Sequence, residues 1–106
     1  MVTKELGDSL LARAAREQLE YISWLKSLSP TEILNHVHEY ITREDILRAL
    51  SYMNMEEAEA NALMSMPNVL SRIYDDYVEL ESDDPLHMET IELSIIHTIK
   101  MYNKEV

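Results

Sequence analysis

The chain of 106 residues has no cysteine, no phenylalanine, one glycine (Gly7) and three prolines. Without cysteine, disulfides, thiolate metal sites and cysteine nucleophiles are excluded. Glycine is too scarce to build a phosphate-cradling loop, and neither a nucleophile elbow nor a His-Glu-x-x-His pair is present. No stretch approaches the roughly 18 apolar residues of a membrane span. The opening "MVTKELGDSLLARAAREQLE" also lacks the apolar centre of a signal peptide. The expectation is a soluble, cytoplasmic protein that is not an enzyme and carries no cofactor and no metal.

Positive charge is the other shortage. Nine Lys and Arg face twenty Asp and Glu, for a net charge of −11. The imbalance is local: residues 49–99 hold one base, Arg72, against eleven acids. A field of that sign repels phosphate backbones and anionic lipid, so direct nucleic-acid and membrane partners are disfavoured and a basic protein is the natural partner.

What is plentiful is Leu, Ile, Met, Ala and Glu, all compatible with helix, while strand-like alternation never persists. The reading is an all-α fold, one domain over 1–106, built as a compact bundle of about six helices. A long first helix from Thr3 to Lys26 presents Leu11, Ala15, Leu19, Ile22 and Leu25 as one stripe. Residues 1–28 are therefore a candidate for homodimer contact. Ser29, Pro30 and Glu32 form a capping box and open a second helix with Ile33, Leu34, Val37 and Ile41 inward. Thr42 with Asp45 starts a third helix, burying Ile46, Leu47 and Leu50. Asn54 with Glu57 starts a short fourth, burying Ala58, Ala62 and Leu63. Pro67 breaks the chain, after which Leu70, Ile73, Tyr77 and Leu80 share a face. Asp84-Pro85 opens the last helix with Met88, Ile91, Ile95, Ile99 and Tyr102 aligned.

The stretch "YDDYVELESDDPLHMETIE", Tyr74 to Glu92, holds eight acids and no Lys or Arg. On a helix Asp75 and Glu79 lie one turn, ~6 Å, apart. Like charges so spaced cost a few tenths of a kcal/mol per pair, so stability does not account for them. Carboxylates at such intervals imitate a row of phosphates and fit a cationic groove built for nucleic acid. Asp75, Asp76, Glu79, Glu81, Asp83, Asp84 and Glu89 are the candidate partner-binding residues. The bland account is a solvated face that keeps the protein soluble. Metal ligation has weaker material: His36 and His38 point apart on a helix, and Glu32 with His36 or Asp84 with His87 supplies two ligands without a third. Tyr40, Tyr52, Tyr74, Tyr77 and Tyr102 with Met53, Met55, Met64 and Met66 read as core filling. Within them "SYMNM" and "LMSMPN" are the expected exposed exceptions.

"LSPTEILNHVHEYITREDILRAL", then "MPNVLSRIYDDY" and "DDPLHMETIE", resembles a small uncharacterised helical domain family of Firmicutes carried on conjugative and phage-like elements. The resemblance spans residues 17–92. It implies the company of counter-defence proteins, including anti-CRISPR inhibitors that occlude nucleic-acid-binding surfaces. The reading is a small acidic inhibitor of a Cas effector or similar nuclease. The alternative is a helical dimerisation or regulatory module whose acidity is only solvation.

Overall fold

The computed structural model describes residues 4–80 and 87–105. Among them are six α-helices and no strand: α1 (Lys4–Lys26), α2 (Pro30–Asn35), α3 (Val37–Tyr52), α4 (Glu57–Met64), α5 (Val69–Leu80) and α6 (His87–Glu105). The all-α fold with a long first helix is as expected, and the departures lie in which faces are buried.

In α1 the buried residues are Leu10, Ala14, Gln18, Tyr21 and Leu25. The expected stripe is thus rotated: Leu25 is shared, Leu11, Ala15 and Ile22 are half-buried, and Leu19 faces outward. The inner face includes a glutamine and a tyrosine: α1 packs against α3, α4 and α5, and the Tyr21 ring lies under the Arg43 guanidinium of α3.

The capping box at Ser29 is present, with the Glu32 amide donating to Ser29 Oγ and the Ser29 amide to Glu32 Oε1, each at 3.3 Å. The next boundary differs from the expectation. α2 stops after one and a half turns at His36, whose backbone (φ −107°, ψ 6°) leaves the helical region. The Tyr40 amide then donates to the His36 carbonyl at 2.9 Å and α3 begins there. Thr42 is no cap; it is fully buried in the middle of α3. The bend at His36 turns Leu34, Val37 and Ile41 out to solvent, so three of the four expected inward residues of the second helix are exposed. Ile46 and Leu50 are buried as expected and Leu47 half-buried.

The start of α4 shifts by two residues, because the Glu59 carboxylate reaches back to the Glu56 amide (2.8 Å) in place of the expected Asn54 and Glu57 pair. Ala60, Ala62 and Leu63 are buried and Ala58 is exposed. Met55 and Met66 lie in the core, with Met53 and Met64 packed against it. This corrects the expectation of exposed methionines: short α4 sits between two loops, and unbranched Met side chains fill the uneven space they leave.

In α5, Leu70, Ile73 and Tyr77 are buried and Leu80 is exposed at the helix end. In α6, Ile91, Ile95 and Ile99 are buried. The Asp84-Pro85 start lies outside the described residues. Arg72 meets Glu105, Asp76 meets Thr98 and Tyr77 meets His87, so α5 and α6 run antiparallel and form the most extensive helix pair. One contiguous core joins Leu10, Ile46, Leu63, Leu70, Ile73, Ile91 and Ile95. Burial of each is worth about 1.5–3 kcal/mol.

Candidate interaction surface

The α5–α6 pair carries the described part of the acidic stretch. Asp75 and Glu79 are exposed on α5, four residues apart, and Glu89 is exposed in the first turn of α6. Asp76 behaves differently: it is half-buried and accepts a 2.5 Å hydrogen bond from the Thr98 hydroxyl of α6. Its task is to hold the two helices together. Glu81, Asp83 and Asp84 lie outside the described residues. Exposed hydrophobics, Val78 and Leu80 on α5 with Leu93 and Ile96 on α6, are interleaved with the acids.

Two arginines near this face are engaged with other carboxylates. Arg72 pairs with Glu105 at 2.6 Å and covers the Tyr102 ring, its guanidinium 5.4 Å from the centroid. Arg48 pairs with Asp45 at 3.3 Å. Among the described residues, no ion pair neutralises Asp75, Glu79 or Glu89.

Behind the face a buried polar cluster fixes α5 in place. Glu17 of α1 accepts from the Leu70 and Ser71 amides, both at 2.9 Å, so a carboxylate from another helix satisfies orphan donors at the α5 N-terminus. Arg43, only 4% exposed, lies 3.5 Å from Glu17 and 3.7 Å from Glu39 and donates to Ser71 Oγ. Its guanidinium stacks 4.0 Å above the Tyr21 ring. Burial, reinforced by the Glu39 carboxylate, pushes the Tyr21 hydroxyl well above the usual tyrosine range. Apart from Glu39, four positions before Arg43, these residues escape sequence reasoning because the partners lie more than 20 positions apart.

A second polar chain joins three helices. His87 at the start of α6 meets Asp45 of α3 through Nε2 (2.7 Å) and the Tyr77 hydroxyl of α5 through Nδ1 (2.9 Å). With Nε2–H donating to the carboxylate, Nδ1 accepts from Tyr77. Both ring nitrogens are thereby occupied, which suits a positioning role. No group of three or more His, Asp and Glu able to hold a metal ion occurs among the described residues. Glu32 is bonded to Ser29 and His36 lies 3.4 Å from Glu39, so the structure shows no shared site for the Glu32 and His36 pair. Asp84, the other half of the second pair, lies outside the described residues.

Two grooves flank α1. One, of about 520 Å³, is lined by Ser9, Arg13, Arg16, Glu20 and Asn68 among others, and Arg13 closes one side by donating to the Met64 carbonyl. The other, of about 260 Å³, is almost wholly apolar and includes Ile22, Leu25, Ile33, Val37 and Tyr40, with Lys26 and His36 at its edge. The sequence signal for the second was present in the apolar residues of "EILNHVHEYI", which are too many for one buried stripe.

Fold and surface together define an all-α domain with an acidic, partly apolar outer face. Among the described residues no helix is long and apolar enough to cross a membrane. A family model described as "Protein of unknown function (DUF3848)" matches residues 6–100, and the chain belongs to that family. No match is found among curated proteins or among solved structures.

Proposed function

We propose that this protein is a small acidic inhibitor, carried on a mobile element and anti-CRISPR-like, that acts by binding and not by catalysis. Its target is a basic nucleic-acid-handling protein such as a Cas effector or nuclease. The α5–α6 face docks where that protein otherwise holds phosphate, with Asp75, Glu79 and Glu89 opposite Arg and Lys side chains. Glu81, Asp83 and Asp84 extend the same run of charge along the sequence. Opposite fields speed encounter, and Val78, Leu93 and Ile96 supply apolar contact once the faces meet.

The observation that carries this reading is the lack, among the described residues, of any ion pair on Asp75, Glu79 and Glu89, while Arg72 and Arg48 are engaged with other carboxylates. A face evolved only for solubility usually mixes both signs. The test is a charge-reversal variant, Asp75→Lys, Glu79→Lys and Glu89→Lys, compared with the parent for inhibition of the target's nucleic-acid binding. All three positions are exposed, so the variant keeps its helicity. Loss of inhibition is the expected result, and full inhibition by the folded variant rules the mechanism out.

The second reading is a helical dimerisation or regulatory module without nucleic-acid mimicry. Exposed Leu19 on α1 favours it, since no neighbour covers that side chain. The remainder of the expected α1 contact, Leu11 and Ile22, is half-buried within the chain itself.

A further inference from the structure

A large apolar part of the surface lies away from the acidic α5–α6 pair. Around the 260 Å³ groove, Val37 is exposed, and Leu34 and Ile41 beside it are 72% and 51% exposed. Leu19 stands one turn before the groove residue Ile22 and is 66% exposed. Trp24, also exposed, packs edge-on against His36 with 5.0 Å between ring centroids. These residues belong to α1, α2 and the start of α3, and none to the acidic α5–α6 pair.

We infer that this α1–α2–α3 face is a self-association surface that pairs with the same face of a second copy. Area is the first argument. Five large side chains so exposed leave on the order of 500 Å² of apolar surface, as large as the biggest patches tolerated on monomers. Two such faces pressed together remove about 1,000 Å², the lower bound for a specific interface. Charge is the second. A copy carrying −11 is repelled by a face bearing Asp75, Glu79 and Glu89, so self-contact favours a face whose acids are partly offset by bases.

The rim here holds both signs. Lys26 and His36 stand at the groove edge, Glu44 is hydrogen-bonded to Tyr40, and Glu39 is held between His36 and Arg43. A two-fold contact needs a self-complementary patch, and a rim of mixed sign around an apolar centre supplies one. Another exposed apolar pair, Leu93 and Ile96, shares α6 with Glu89 and Glu92 and belongs to the acidic α5–α6 pair. A dimer built this way leaves both α5–α6 pairs out of its contact, yet self-association stands whether or not the acidic face has a target.

Sedimentation velocity of the full chain over about 5–300 μM tests the inference. The expected result is a concentration-dependent dimer that persists at high salt, because its centre is apolar and screening relieves repulsion between copies. Leu34→Glu with Ile41→Glu, at exposed positions that leave circular dichroism unchanged, raises the dissociation constant at least about tenfold. Leu93→Glu leaves it unchanged. A wild-type chain that stays monomeric throughout overturns the inference, including the case where the Leu34 and Ile41 variant loses binding to another protein. So does a dimer that survives Leu34→Glu with Ile41→Glu.

Discussion

Arg43 shows at the residue scale why this core tolerates polar groups. It is buried by α1, α3 and α5, and Glu17, Glu39, Ser71 and the Tyr21 ring surround its charge. Arg43→Ala strands two partly buried carboxylates, and urea denaturation is expected to show a loss of about 2–4 kcal/mol. Gln18 is the converse case. At 3% exposure its amide has no hydrogen-bond partner among the described groups. Gln18→Met therefore removes a desolvated amide at similar volume and is expected to hold or raise stability by up to about 1 kcal/mol. Tyr21 adds a pH dependence. Its hydroxyl titrates higher when folded than the ordinary value of 10.0 reached in the unfolded chain. Above pH ~10 the unfolded chain loses that proton first, so stability present below this point falls as pH rises. Tyr21→Phe is expected to flatten the alkaline limb of a stability–pH curve, and an unchanged limb contradicts the assignment.

At the scale of elements, what could be read from the sequence was what nearby residues decide. Ser29, Pro30 and Glu32 name their own cap, and the cap is there. Thr42 and Asp45 have the same spacing but lie inside α3, because Thr42 is buried among other helices and Asp45 is turned toward His87 and Arg48. The stripe of α1 was misplaced for a related reason: Tyr21 looks like a surface residue until Arg43 of α3 is brought over its ring. The acidic site was partly legible. Exposure of Asp75, Glu79 and Glu89 follows from helical spacing opposite Ile73, Tyr77 and Ile91. The inward turn of Asp76 depends on Thr98, 22 positions away. Ser29→Ala is expected to weaken α2 by about 1 kcal/mol, visible as faster amide exchange at Glu32 and Ile33. His87→Leu leaves the buried Tyr77 hydroxyl without its imidazole acceptor and frees Asp45 from α6. About 1–3 kcal/mol of stability is expected to be lost, with faster exchange in the first turn of α6.

For the whole molecule, the distribution of charge separates two kinds of surface. The α1–α2–α3 face is apolar with both signs at its rim, while α5–α6 combines exposed carboxylates with scattered hydrophobics. On the two proposals above, one face serves self-association and the other a cationic partner, and salt acts on them in opposite directions. Screening weakens capture of a basic protein and spares contact between two copies. The expected medium is therefore low salt for target binding, with the attraction fading as the Debye length falls to a few Å near 1 M.

The most direct measurement is capture from a host lysate on immobilised protein, run at low and high salt with the parent chain and with Asp75→Lys, Glu79→Lys, Glu89→Lys. The account predicts that the parent retains a basic nucleic-acid-handling protein, that high salt releases it, and that the folded variant never holds it. Equal retention of the same protein by parent and variant, or retention indifferent to salt, contradicts the account.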